Sequence, residues 1–424
     1  MPMLLGTKEN DILQWRASAE LVATLKGKLA RKWEQSPAGE AQSFLENFIG
    51  ALRDELGYEA QLARELSALD EGIEAAGSPG ETLPLQARYL EVVSAHFSRR
   101  KSVLALCDVC NQLHDRVLAK AIAFAGERML QLGQGRAPVY ALLVSGDRGR
   151  GEQTLRSKNR YFLLLEEEGP RYLLFKRQLA AALQDVGLQG EEQALWHGTL
   201  REWRDFLGGT LSPVENGARE NDLAPLLPFA APLKPGPQEM PGLGWHLETL
   251  ADLCFITGKA PLASEALDAA AQAMQGQRNR DPFFQLARRV IGLPVALGRF
   301  GRWRLQRSGQ HRGELNLEEF ALGPLVMTLR ILALHAGIPA AGTVGRVQRL
   351  LDKGSLDVEL AERLLKAFQC FLQLKVLSEI RNEEEGSFCN PEEFDAEEDA
   401  RFRSSLDAVL SLQKITYQRL VGQG

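Results

Sequence analysis

The chain has 424 residues, 45% of them hydrophobic and 25% charged, with five cysteines and a formal net charge of −5. That length calls for two or three domains. The composition excludes a disordered or disulfide-stapled protein, and the charge gives no general pull towards nucleic acid or anionic lipid.

The N-terminal stretch MPMLLGTKENDILQW lacks the basic start and long apolar core of a signal peptide, so a cytoplasmic protein is expected. Residues 1–135 read as a helical region. Ser36-Pro37 is a good helix start, and the helix it opens carries Phe44, Phe48, Ile49, Leu52 and Leu56 on one face. A break at Gly77-Ser78-Pro79-Gly80 precedes a second helix carrying Leu85, Tyr89, Leu90, Val93 and Phe97. A third runs from about Ser102 to Leu132 on the stripe Leu106, Cys110, Leu113, Val117 and Ala121, and Gly133 ends it.

The pattern then changes. Pro138 opens a strand over Val139–Val144, and Tyr161–Leu165 is a second apolar run of strand length. Tyr172–Val186 and Thr199–Phe206 read as helices. Residues 208–244 hold seven prolines and form a long loop. Leu250–Thr257 is a third strand candidate. Residues 136–263 thus form an α/β domain and 264–424 a second helical part, with long helices at about 322–337, 343–353, 356–382 and 395–421. Phe300–Phe320 interrupts it as a hairpin turning at Ser308-Gly309. The expected fold is mostly α with a small mixed sheet: a helical region, an α/β domain, then a helical bundle. Phe320–Gly342 is the most apolar long stretch, but it contains Arg330 and His335 and fits a buried helix better than a membrane span.

The turn between the first two strands, Gly146-Asp147-Arg148-Gly149-Arg150-Gly151, is a common way to present backbone N–H groups to phosphate. Gly146, Gly149, Arg150, Glu152, Gln153, Thr154 and Leu155 match the pattern G-S-x-G-R-x-E-Q-T-L. Together with His114–Leu118, Trp196, Leu200–Trp203, Leu317–Ile338, Thr343 with Arg346, and Leu374–Ile380, this resembles a bacterial nucleotidyltransferase-like family. That family is related to the P-II uridylyltransferase and glutamine synthetase adenylyltransferase, and often carries CBS or cyclic-nucleotide-binding modules. The resemblance implies a nucleotidyltransferase-like mixed-sheet domain. In the family an Asp-x-Asp pair and a third carboxylate hold Mg²⁺, which requires hard oxygen ligands.

Here Lys158 and Arg160 stand at the Asp-x-Asp positions, and Asp147 replaces the phosphate-binding serine. Like charges a few ångströms apart repel by about 4 kcal/mol at an effective dielectric near 20, so the pair should reject a divalent cation. Asp252 survives as the third carboxylate, but Cys254 and Lys259 replace its arginine and aspartate companions. Asn316-Leu317-Glu318 stands where the family has D-L-K. The resemblance therefore implies a vestigial pocket of Gly146, Asp147, Gly149, Arg150, Glu152, Gln153, Lys158, Arg160 and Asp252. Asp147 is expected to pair with Lys158 or Arg160, and with Asp252 nearby to fill it. The reading assigns no catalytic residue, no metal ligand and no cofactor. The protein would be a pseudoenzyme with a regulatory, nucleotide-sensing or scaffolding role in bacterial signalling, a protein partner and a possible nucleotide. A second reading keeps catalysis, with Mg²⁺ held by Asp252 and by Glu166, Glu167 and Glu168 after the second strand.

The remaining features have bland readings. Cys107-x-x-Cys110 lies on a helix stripe without a second ligand pair, so buried thiols are expected rather than zinc. His114 beside Asp115 is read as structural. Arg299, Arg302, Arg304, Arg307 and Arg312, with Phe300 and Trp303, form the one basic-aromatic cluster. An exposed edge protected by charge is favoured there over nucleic-acid binding through Arg302 and Arg304.

Overall fold

The architecture was taken from a computed structural model, which describes residues 41–188, 195–210, 249–278, 280–298, 301–339, 342–382 and 387–420. The helix start at Ser36, Arg299, Phe300, most of the proline-rich loop and the acidic run Glu383–Glu385 lie outside these residues.

Three helices open the described chain: α1 (Ala41–Ala75), α2 (Pro79–Arg100) and α3 (Val103–Gln131). Pro79 sits in the first turn of α2, where its missing N–H costs nothing. Glu55 of α1 is buried between Arg99 and Arg100 of α2, at 2.8 and 2.6 Å, which fixes the antiparallel pair. The stripe expected on α3 is buried: Leu106, Cys110, Leu113, Val117 and Ala121 all point into the core.

A four-stranded sheet follows, made of β1 (Tyr140–Gly146), β2 (Asn159–Leu165), β3 (Trp196–Thr199) and β4 (Cys254–Gly258) in the order β3-β2-β1-β4. β1 is antiparallel to β2 and β4, and β2 is parallel to β3. Both faces are covered, so β1 and β2 read as continuous apolar runs. Leu142, Val144, Tyr161 and Leu163 face α3 and α5 (Pro170–Asp185). Ala141, Leu143, Phe162 and Leu164 face Trp203 of α6 (Leu200–Thr210) and Ala266 of α7 (Ala260–Gln277). The third strand is shorter than the sequence suggests. Thr249–Ala251 are helical, Asp252 lies in a turn, and pairing starts at Cys254.

The C-terminal part comprises α8 (Asp281–Ile291), a two-stranded ladder of β5 (Leu315–Asn316) with β6 (Phe388–Cys389), a π-helical turn (Glu318–Leu322), α9 (Gly323–His335), α10 (Thr343–Asp352), α11 (Val358–Asn382) and α12 (Ala396–Leu420). These bounds follow the expected helices to within two or three residues. The expected hairpin over Phe300–Phe320 is not formed as such. Gln306 exchanges backbone bonds with Gly313 and Glu314, but the strand in this segment, Leu315–Asn316, pairs with Phe388–Cys389. Its partner is some seventy residues away, which local patterning does not encode. One apolar cluster runs from Leu69 through one sheet face to Leu420, so the helical parts and the sheet share a core. Among the described residues no helix is long and apolar enough to cross a membrane.

Candidate functional site

β1 ends at Gly146, whose φ of +97° favours glycine. The next four residues make a single helical turn, α4 (Asp147–Arg150), closed by Gly151 at φ +71°. Asn159 pins it from the adjoining strand: its Oδ1 accepts from Arg148 N at 2.8 Å, and its Nδ2 donates to Gln153 Oε1 at 2.8 Å. Arg148 ties the turn to α3 through both oxygens of Asp115, at 2.8 and 2.5 Å. His114 on the same helix shares hydrogen bonds with Tyr161 Oη (2.8 Å) and Asp115 (3.0 Å), and burial pulls its pKa down. It is a structural residue, as are the buried thiols of Cys107 and Cys110, whose pKa values burial raises.

The turn is built into a buried charge network. Arg150 reaches Glu152 Oε2 at 2.7 Å, Asp252 Oδ2 at 2.8 Å, and Asp147. Asp252, 1% exposed, also accepts from Arg330 of α9 on Oδ2 at 2.5 Å and from Arg346 of α10 on Oδ1 at 2.7 Å. Burial pushes the Asp252 carboxyl up, but Arg330, Arg346 and Arg150 outweigh it and hold the group well below the usual carboxylate range. Asp147 accepts from Ser157 Oγ at 2.6 Å and lies 3.4 Å from Lys375 Nζ of α11. Lys375 also binds Glu318 at 2.6 Å, and these carboxylates keep the buried ammonium charged. Glu152 Oε1 accepts the first helical N–H of α10, from Thr343, at 2.5 Å. Glu379 of α11 accepts from Thr154 Oγ1 at 2.8 Å and Leu155 N at 3.1 Å. The turn region is thereby joined to α9, α10 and α11 by buried polar bonds.

The sequence-predicted residues separate into two sets. Gly146, Asp147, Gly149, Arg150, Glu152, Gln153 and Asp252 come together in this network or in the turn that carries it. Lys158 is exposed just before β2, and the half-buried Arg160 donates to Thr249 Oγ1 at 2.9 Å. The expected pairing of Asp147 with Lys158 or Arg160 needs correction. The cations that hold Asp147 are Arg150 and Lys375, because α11 brings Lys375 to the buried side of the turn. Arg330, Arg346, Lys375, Glu318 and Glu379 were not assigned to the pocket from sequence. The signal for Arg330 and Lys375 was a cation inside an apolar helical run, VMTLRILALH and FLQLKVLSEI, which must find a carboxylate if buried.

Magnesium does not fit here. It needs near-octahedral oxygen ligands, and both Asp252 oxygens are committed to guanidiniums. Glu166 pairs with Lys259 at the far end of β2, six residues past Arg160, or about 20 Å along the strand. Glu167 and Glu168 are exposed beside it, so this trio does not converge with Asp252. Among the described residues no group of three or more His, Cys, Asp or Glu is placed to hold a metal. A cleft of about 210 Å³ opens on the Gly151 side of the turn, lined by Leu104, Cys107, Val344, Phe368 and Leu372, and it does not extend to Lys158 or Arg160.

Among the described residues the network holds five carboxylates (Asp147, Glu152, Asp252, Glu318, Glu379) and four cations (Arg150, Arg330, Arg346, Lys375). Glu379 is the carboxylate whose two hydrogen bonds described above both come from neutral donors. Burial pushes it up to about 7, against the pull of Lys375 and Thr154 and with help from Asp147 and Glu318. The folded pKa lies above the unfolded value near 4.5, so its stabilisation is complete below pH 4.5 and lost as pH rises through 7. Glu379→Gln should remove this slope. Urea titrations of wild type and variant between pH 5 and 8 should diverge by roughly 3 kcal/mol, and parallel curves would refute the assignment.

Two stretches of the chain match family models. Residues 87–213 match one described as "Putative nucleotidyltransferase DUF294", and residues 280–420 match one described as "Putative nucleotidyltransferase substrate binding domain". No curated protein matches the chain.

Proposed function

We propose, for a chain whose two matched domains are those of the nucleotidyltransferase family, a non-catalytic role: a regulatory scaffold of the kind related to the P-II uridylyltransferase, working in the bacterial cytoplasm with a protein partner. One observation carries this reading. Asp252, which the resemblance makes the third metal carboxylate, is clamped by three guanidiniums, and by the same resemblance Lys158 and Arg160 would stand in place of the other two. Two-metal chemistry needs carboxylates with free lone pairs to neutralise phosphate and activate the attacking oxygen. What this turn shares with the family (Gly149, Arg150, Glu152, Thr154) packs against or bonds to Asp252 and the C-terminal helices. On this reading the frame serves to join the turn to the C-terminal helices, a task independent of nucleotide transfer.

The test is a transfer assay. The purified chain is incubated with α-labelled ATP, UTP, CTP or GTP, with Mg²⁺ or Mn²⁺, in a cell extract as acceptor. The expected result is no label transferred and no pyrophosphate released above a protein-free control. Stoichiometric release of pyrophosphate with labelled acceptor would sink the reading.

A further inference from the structure

The charge of this chain is unevenly placed. Between Asp281 and Glu314 there are seven arginines and no lysine, aspartate or glutamate, in a chain whose formal total is −5. Arg302, Arg304, Arg307 and Arg312 are all exposed and crowd one loop. We propose that this loop, Gly301–Gly313, is a docking surface for an acidic peptide segment of a partner protein. It involves none of the residues that bind the turn to the C-terminal helices, so the inference stands apart from the loss of catalysis.

The loop is held rigidly although its side chains are exposed. Gly298 N donates to Arg302 O at 2.8 Å and Arg304 N to Ala296 O at 2.9 Å, which tie one limb to the preceding segment. Gln306 N donates to Glu314 O at 2.8 Å, and Gly313 N donates to Gln306 O at 2.9 Å, which close the tip. Trp303 is the anchor. Its ring lies 5.5 Å from buried Phe402 of α12, with the Arg403 guanidinium 4.2 Å over its face. Arg302 and Arg304 flank it in extended backbone, so they project together, away from the anchor. A preorganised backbone spares much of the ordering cost of binding. Guanidiniums match carboxylates by paired, parallel hydrogen bonds.

An acidic peptide is favoured over nucleic acid for two reasons. The aromatic ring of the cluster is packed against Phe402 and capped by Arg403, so its face is not offered for base stacking. The whole chain has a pI near 5.9, which repels a long polyanion but tolerates a short acidic segment confined to the patch.

The experiment uses the full chain and a fluorescein-labelled octaglutamate peptide, read by anisotropy at low salt. Arg302→Gln/Arg304→Gln/Arg307→Gln should weaken binding at least tenfold and flatten its salt dependence. The control triple Arg88→Gln/Arg204→Gln/Lys366→Gln, which removes exposed cations elsewhere, should change it less than twofold. Unaltered thermal unfolding of both triples shows that folding is intact. No binding by the wild type, or equal weakening in both triples, overturns the proposal. Tighter binding of a twenty-residue thymidine oligonucleotide than of the peptide, lost in the loop triple, overturns it in favour of nucleic acid.

Discussion

Asp252→Ala should lower the stability of the protein by about 3–5 kcal/mol, the range for removing one partner of a buried ionic cluster. The carboxylate is 1% exposed and receives Arg150, Arg330 and Arg346 from three different elements. Its loss leaves three guanidiniums close together without their shared counter-ion, so desolvation and mutual repulsion act in the same direction. Two of those arginines lie on α9 and α10, so the damage falls on the contact between the sheet domain and the C-terminal helices. Guanidinium unfolding should show a lowered midpoint, or two transitions where the wild type has one. Glu362→Ala removes an exposed i,i+4 pair with Lys366 and should leave the unfolding midpoint essentially unchanged. A loss below about 1 kcal/mol for Asp252→Ala would mean that the network does not hold the domains together.

The second large effect is Gly149→Ala, expected to cost about 3 kcal/mol, at the upper end for overpacking. A Cβ at Gly149 would stand 2.0 Å from the backbone oxygen of Asp252 and 3.1 Å from that of Val144. Neither atom can swing aside as a side-chain tip would, so the turn and the Asp252 segment must part. Helix propensity acts the other way, since alanine is favoured over glycine by about 1 kcal/mol. Gly126→Ala on α3 isolates that opposing term. A Cβ there meets nothing within 4 Å, so this variant should gain up to about 1 kcal/mol. If both substitutions stabilise, the close approach at Gly149 is not a constraint.

The pair bears on the proposed role. Gly149 lies within residues 87–213, which match the nucleotidyltransferase-like family model, and a glycine-rich turn invites explanation by phosphate binding. Here its space is taken by the chain's own backbone. Gly342 shows the same economy from the other side, since a Cβ there would meet Arg150 O at 2.8 Å. The two glycines let the C-terminal helices, the turn and the Asp252 segment approach to backbone contact.

The sequence by itself determined the helices, the two central strands and the glycine-rich turn. These are set by local patterns: helical stripes on α3 and α11, continuous apolar runs in β1 and β2, and glycine at the turn's left-handed corners. It also places two cations, Lys158 and Arg160, directly after the turn, which follows from residue identity alone. Only the tertiary structure decided who pairs with whom. Arg330, Arg346 and Lys375 lie 78, 94 and 228 residues from the carboxylates they meet, and nothing in their own helices specifies those partners. The same holds for Leu315–Asn316, which pair with Phe388–Cys389 just beyond the local contact of Gln306 with Gly313 and Glu314. A buried charge announces in sequence that it must be neutralised, because desolvation leaves no alternative. Which opposite charge does so is fixed by how the helices pack, and that packing buries Asp252 among Arg150, Arg330 and Arg346.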